Sequence, residues 1–357
     1  MAEIVIDNTI LASVEDKAVV ITGGAQGIGA ATVTQLFHAG AHVFHGDLDV
    51  EKGTLLDETL KSSLRPLEQT NGYCSGHASG HGHGSVQFLK VDVRDYESQL
   101  ALFDAALEKH GRVDMAIYCA GVGDRFGWFG PDALDLKSVR EIPTPVANVV
   151  DINLTGTLYF VRLALAYLKH TSTTTTKNHH LDNPILSSPV PNGNSPSSSS
   201  LSKSITLVSS SAGFKGFPGL FAYSASKHGV LGLMRSLRPH SRSVFGVRIN
   251  TICPTLTDTR MLNGLKAECE RNNIHMNTAE EVARVIVQVA TDQKEHGKAV
   301  YMAGGRALDV EEGIERLEGE WLGGEEWVED LRRSQGVIGM AYGWGKKVDQ
   351  VLSNGNK

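Results

Sequence analysis

The sequence predicts an α/β protein built on one doubly wound parallel sheet of about seven strands, with helices on both faces and two low-complexity insertions. Three observations carry that expectation. Apolar runs of strand length alternate with segments of helical period, a glycine-rich turn joins the first strand to the first helix, and a carboxylate closes the second strand.

In order along the chain, strands are expected at residues 18–22, 41–45, 86–91, 113–118, 204–208, 247–252 and 299–302. Helices are expected at 27–39, 96–109, 146–169, 221–237 and 279–291. Together they make one domain over residues 1–310, followed at 311–357 by a helical extension and tail.

The two insertions fall at about 62–84, rich in Gly and His, and at about 171–203, which reads TSTTTTKNHH and then SPSSSS. Neither has apolar periodicity with which to offset its ordering entropy, so both are expected to be mobile. Each precedes a strand. Ligands in an open α/β sheet bind beyond the carboxyl ends of the strands, so both insertions are expected at the opposite edge. His77, His81 and His83 could ligate a metal, but no carboxylate or thiol accompanies them, and a low-complexity loop accounts for them without one. No metal site is expected.

With 357 residues, 41% hydrophobic, the chain can bury a sizeable core. Its net charge of −6 comes with both signs spread along the chain. No basic stripe offers itself to a phosphate backbone, so nucleic acid is not an expected partner. The first sixteen residues lack the positive start and apolar run of a signal peptide, and nowhere do eighteen apolar residues follow one another. A cytoplasmic protein without a membrane partner is expected. Cys74, Cys119, Cys253 and Cys269 show no CxxC spacing, which fits reduced thiols better than disulfides or a zinc site.

The chemistry begins at Thr22-Gly23-Gly24-Ala25-Gln26-Gly27-Ile28-Gly29. Gly23 can take the tight turn, Gly27 lets the backbone approach a pyrophosphate, and Gly29 lets the helix pack close with its amides facing the phosphates. Gln26 and Ile28 belong to the same cofactor-binding turn. Asp47, at the end of the second strand, is placed to accept hydrogen bonds from the adenosine ribose and to repel a 2′-phosphate. The expected cofactor is therefore NAD rather than NADP. Asp92, followed by Val93, is placed for the adenine amino group.

Ser210, Tyr223 and Lys227 follow. Tyr223 and Lys227 are four apart in a helical segment, so they share one face. Bringing a tyrosine from near pH 10 towards neutrality requires preferential stabilisation of the phenolate by on the order of 4 kcal/mol. A neighbouring ammonium and a positive nicotinamide supply it. Tyr223 can then pass a proton to or from a substrate oxygen while hydride moves at the nicotinamide. Ser210, at the end of its strand, can hydrogen-bond that oxygen. Ser209 and Ser211 are its rivals, and strand alternation sends them to the other side.

These residues resemble the short-chain dehydrogenase/reductase family. TGGAQGIG, the VDV segment, Asn153 in DINLTGT, SSSAG, YSASK and VRINTICP occur in family order. The resemblance implies a Rossmann fold and a catalytic set of Asn153, Ser210, Tyr223 and Lys227, with Asn153 supporting a water-linked proton relay through Lys227 and Lys227 holding the nicotinamide ribose. It adds Ala120, Gly121, Pro254, Thr257 and Thr259 to the cofactor residues, and implies a homodimer or homotetramer. In two places the chain departs from the family pattern. Asn-Asn-Ala-Gly is Tyr118-Cys119-Ala120-Gly121 here, and Pro-Gly is Pro254-Thr255.

The texture is similar to fungal secondary-metabolism members of that family, which implies a secondary alcohol or ketone on a bulky, partly aromatic molecule. Phe126, Trp128, Phe129, Phe214, Phe217, Met261 and Leu262 are candidates to line its pocket. Three rivals stand beside this reading: an NADPH-dependent ketoreductase using the same residues, a nucleotide-sugar epimerase, and a non-catalytic binding protein on the same fold. Gln26 occupies a position where epimerases carry glycine.

Overall fold

Residues Ala18–Thr22 form strand β1 and are buried to the last, as a strand covered by helices on both faces must be. The structure, a computed structural model, describes residues 2–63, 84–124, 129–130, 134–141, 148–177, 203–262 and 264–341. Around β1 lie β2 (His42–Asp47), β3 (Ser85–Lys90), β4 (Met115–Tyr118), β5 (Ser204–Val208), β6 (Arg248–Pro254) and β7 (Ala299–Ala303). The sheet order is β3-β2-β1-β4-β5-β6-β7, parallel throughout, and a short β8 (Arg306–Asp309) adds to β7 antiparallel. The eighth strand extends the expected seven. Gly304 and Gly305, at φ 59° and 73°, make the two-residue turn that a hairpin of this kind requires.

The chain reverses its direction of travel across the sheet between β1 and β4, which opens a crevice at their carboxyl ends. Helices α1 (Gly27–His38), α2 (Val50–Ser63), α3 (Tyr96–His110), α4 (Gly156–Lys177), α5 (Phe221–Phe245), α6 (Lys266–Arg271) and α7 (Ala279–Thr291) complete the layers. Strand alternation splits the core in two. Val19 and Ile21 point to the α1 and α7 side with Val33, Leu36, Val282 and Ile286. Val20 points to the α3, α4 and α5 side with Phe103, Phe160, Leu231 and Met234.

Helix α2 was absent from the sequence expectation. Its apolar stripe is thin, and Gly53 stands mid-helix because Phe88 of β3 lies where a Cβ would go, 2.1 Å away. Helix α5 runs past the expected end at 237. Pro239 removes one amide from the ladder without stopping it, and the helix ends at Gly246, φ 68°, whose amide donates to the carbonyls of Ser241 and Arg242. Helix α4 carries on to Lys177, into the segment expected to be an insertion; residues 64–83 and 178–202, and with them His77, His81 and His83, lie outside the described residues. Beyond β8 come α8 (Val310–Arg316), α9 (Glu318–Leu322) and α10 (Glu325–Ala341). Residues Asn148–His170 are long and apolar enough in composition to cross a membrane, and in this fold Phe160, Val161, Leu163, Ala164 and Leu168 of that stretch are buried in the core.

Candidate active site

The turn after β1 cannot be built from ordinary residues. Gly23 has φ 70°, and a Cβ on it would lie 2.5 Å from the Ala120 amide nitrogen. On Gly29 a Cβ would lie 1.9 Å from the Gly23 carbonyl oxygen. Both positions therefore admit only glycine, and the backbone of Gly27, φ 56°, is left bare on the crevice side. Asp47 holds the turn from β2: its Oδ2 accepts from the Ala25 amide at 3.0 Å and its Oδ1 from the Asp49 amide at 3.0 Å.

Gly23, Gln26, Gly27, Ile28, Gly29, Asp47, Asp92, Val93, Ala120, Gly121 and Thr259 all face one cleft of about 1060 Å³. That is at the upper end of the ~300–1,000 Å³ of sites for drug-sized ligands, room for a large one. Asp92 is already engaged. Arg94 holds it at 2.6 Å and keeps its carboxyl below the usual carboxylate range, while Arg94 Nη1 donates to Asn148 Oδ1 at 3.1 Å.

Four expected cofactor residues are not on the cleft wall, Tyr223 and Lys227, which lie close behind it, and Thr257 and Pro254. Thr257 is buried, and its hydroxyl donates to the Thr255 carbonyl at 3.1 Å instead of facing the cleft. Pro254 ends β6 within the sheet and is buried. Thr255, in the place of the family glycine, is tied down through its amide and hydroxyl to the Met302 carbonyl at 2.9 and 3.0 Å, so β6 and β7 fix the backbone there. Thr259 remains at the cleft, its methyl 3.2 Å from where a Gly27 Cβ would be.

Asn153, Lys227, Tyr223 and Ser210 lie next to cleft residues rather than on the cleft wall itself: Asn153 and Lys227 stand behind Gly121, Tyr223 is tied to Asp124, and Ser210 neighbours Tyr223. A Cβ on Gly121 would lie 3.4 Å from both Asn153 Oδ1 and Lys227 Nζ, which places the three residues together. Lys227 is buried, its Nζ lies 5.6 Å from the Tyr223 ring centroid, and it donates to the Val208 carbonyl at 2.9 Å. Its other two N–H bonds have no partner among the described residues. Burial depresses its pKa to about 8.

Burial pushes the half-buried Tyr223 phenol above its ordinary value, and the neighbouring Ser210 hydroxyl works in the opposite direction. Ser209 and Ser211 are thereby separated from Ser210: Ser209 Oγ donates to the Lys227 carbonyl at 2.9 Å, and Ser211 is buried. The thiols of Cys119 and Cys253 flank Lys227, and burial pushes both up to about 12, so they are neutral.

Asn153 is not in a regular helix. It sits in a π turn, Asp151–Thr155, with its Oδ1 accepting from the Val122 amide at 2.9 Å and its Nδ2 donating to the Val122 carbonyl at 3.0 Å and Ser226 Oγ at 3.1 Å. Sequence reasoning missed Asp124, which lines the cleft and accepts from the Tyr223 amide at 3.1 Å, and Phe221, which packs against Phe129 with centroids 4.7 Å apart. Of the apolar candidates, Met261 lines the cleft and Phe217 is exposed, whereas Phe214 packs edge-on to Tyr301 at 5.8 Å against the core. Phe126 and Trp128 lie outside the described residues.

The chain is similar to 5′-hydroxyaverantin dehydrogenase of Dothistroma septosporum, 29% identical over 324 residues that cover 86% of this chain and 91% of that protein. A short-chain dehydrogenase/reductase of Acremonium egyptiacum is 30% identical over 315 residues, 88% of this chain and 87% of its own length. Among solved structures, levodione reductase superposes with a TM-score of 0.60 at 22% identity, over 82% of this chain and 97% of that one. The profile of the short chain dehydrogenases matches residues 17–175 and 200–270, the stretches that hold the glycine turn, Asp47, Asn153, Ser210, Tyr223 and Lys227, and by that match the chain belongs to the short-chain dehydrogenase family of oxidoreductases.

Proposed function

We propose that the protein is an NAD-dependent dehydrogenase that interconverts a secondary alcohol and a ketone on a bulky apolar or aromatic metabolite. The family implies a nicotinamide cofactor, and the residues fit one: the glycine turn leaves bare backbone where a Cβ would intrude, beside a cleft whose volume admits a large ligand. Gly23, Gly27 and Gly29 would hold its diphosphate, Asp47 its adenosine ribose, and the two N–H bonds of Lys227 that have no partner among the described residues its nicotinamide ribose. When bound, the nicotinamide gives or takes the hydride.

The observation that carries the reading is the convergence of Tyr223, Lys227 and Ser210 beside Gly121, a residue of that cleft's wall. Ser210 holds the reacting oxygen beside the Tyr223 phenol, which gives or takes its proton. The charge of Lys227 favours the phenolate that burial alone would suppress. Asn153 supports the proton path behind Lys227. Phe129, Phe221 and Met261 offer apolar surface nearby, which supports a bulky substrate. Cytoplasmic location and a homodimeric or homotetrameric state belong to the same proposal, the free thiols of Cys119, Cys253 and Cys269 fitting a reducing compartment.

The test is a screen of the purified chain against secondary alcohols and ketones with NAD and NADP, alongside Tyr223→Phe. The variant should bind NADH as the wild type does and lose turnover by roughly 100-fold or more. Near-normal turnover in Tyr223→Phe would remove the assignment.

A further inference from the structure

We infer that Tyr118 is a positioning residue: from β4 its hydroxyl fixes the π turn that presents Asn153 to the active site. Its effect on turnover rests on the proposed role of Asn153. Its effect on the turn rests on geometry alone.

In a π turn the amides reach back five residues instead of four, so a carbonyl loses the amide a regular helix would give it. Here the Gly156 amide donates to the Asp151 carbonyl. The Ile152 carbonyl is thereby deprived of its usual partner, and Tyr118 Oη donates to it at 2.5 Å. A buried carbonyl needs such a donor, and so does a buried phenol need an acceptor.

The space for this contact is built on both sides. Tyr118 is 1% exposed, its ring edge-on to Phe160 with centroids 5.3 Å apart. Position 156 is glycine where a Cβ would lie 2.6 Å from Tyr118 Oη and 2.9 Å from the Val93 carbonyl. Gln99 Nε2 holds the same turn from α3, donating to the carbonyls of Val93 and Gly156 at 2.6 and 3.0 Å.

What the turn positions is the next residue. Asn153 pairs with both backbone groups of Val122 and donates to Ser226 Oγ, which itself donates to the Tyr223 carbonyl at 2.7 Å. A continuous path therefore runs from Tyr118 through Ile152, Asn153 and Ser226 to the backbone of Tyr223. In the family pattern this strand position is asparagine. The tyrosine reaches the turn directly, and without its hydroxyl the wide turn can migrate along the helix and withdraw Asn153 from Val122.

The experiment uses the full chain with Tyr118→Phe, Asn153→Ala and the double variant. Hydrogen exchange at the Val122 amide, which only a displaced Asn153 would expose, should accelerate about tenfold or more in Tyr118→Phe while amides of β1 and β2 keep their protection. Turnover should fall about tenfold with the NADH dissociation constant within about twofold, and the double variant should turn over no more slowly than Asn153→Ala alone. Unchanged exchange at Val122, or a turnover loss that multiplies with that of Asn153→Ala, would overturn the inference. If exchange accelerates but Asn153→Ala turns over normally, Tyr118 still holds the turn and it is the proposed role of Asn153 that fails. Should Tyr118→Phe not fold, Gly156→Ala displaces the hydroxyl from the other side and is read in the same way.

Discussion

Asp124, on the segment following β4, accepts a hydrogen bond from the backbone amide of Tyr223 at 3.1 Å and so caps the helix that carries the acid/base residue. Leu220, at the N-cap of α5, offers no side-chain cap of its own. An orphan amide in the first turn is thus satisfied by a carboxylate from 99 residues earlier, where negative charge also suits the helix dipole. The same charge has a chemical consequence. After burial and the opposing effect of Ser210, it is among the influences that hold the Tyr223 phenol above its ordinary value.

Asp124→Asn keeps an acceptor for the Tyr223 amide and removes the charge. A negative neighbour disfavours phenolate, so its loss lowers the pKa of Tyr223. In alcohol oxidation the rise of kcat/KM with pH should therefore move to lower pH. A rise that stays in place, or moves upward, would show that Asp124 does not act on the phenol.

Lys227 makes a second prediction, because burial brings its pKa from 10.5 to about 8. A lysine that holds its proton less tightly when folded opposes folding wherever the unfolded chain is protonated. The difference corresponds to on the order of 3 kcal/mol below pH 8, shrinking through the window from about 8 to 10.5 as the unfolded chain also loses its proton. Lys227→Met should thus abolish turnover yet raise Tm at pH 7, with the gap to wild type closing as the pH approaches 10. Thermal denaturation at three pH values checks it; a variant less stable than wild type at pH 7 would mean that the Val208 contact outweighs the burial of the charge.

The parts of this site that were legible in the sequence are those whose geometry is local. Gly23, Gly27 and Gly29 are read from one turn, and Tyr223 and Lys227 from one helical repeat. Asp124, Tyr118 and Ser226 were not, because each acts through a partner distant in sequence: Tyr118 on Ile152, Ser226 on Asn153, Asp124 on Tyr223. The π turn had no signal at all, since DINLTGT has an ordinary helical composition and Tyr118 acts on it from another element. Thr257 differs from its expected placement for a related reason. Its position after β6 was right for the cleft, but a bridge to Asn277 turns it inward. Strand β8 did carry a signal, Gly304-Gly305 between Ala303 and Arg306, that a hairpin search would have found.

Asp47 is predicted to set cofactor choice at a cost to the loop when altered. Its two oxygens already accept from Ala25 and Asp49, and the residue lines the cleft. Asp47→Ala should weaken NADH binding by about tenfold, the order expected for losing a charge-assisted hydrogen bond, and weaken NADPH less because repulsion of a 2′-phosphate is lost as well. Dissociation constants for both, measured by fluorescence titration, give the ratio. An unchanged ratio would place the discrimination elsewhere on the cleft wall.

The last prediction concerns the connection between α4 and β5. Lys203 is buried at the start of β5, and its ammonium donates to the Leu168 carbonyl of α4 at 2.6 Å, so helix and strand are tied together at the base of that connection. Ser204 pairs with Met115 on one side and Arg248 on the other, at the amino ends of all three strands. Ser210 lies past the opposite end of β5, and a five-residue strand spans roughly 17 Å. The base of the connection is therefore remote from the reacting groups, and shortening it changes loop-closure entropy only slowly. Replacing residues 178–202 by a short Gly/Ser linker should leave turnover within about threefold and Tm nearly unchanged, because Lys203, Leu168 and the β5 register are all retained. A deletion protein that folds and binds NADH yet has lost turnover would mean that the removed residues reach the active site of their own or a neighbouring subunit.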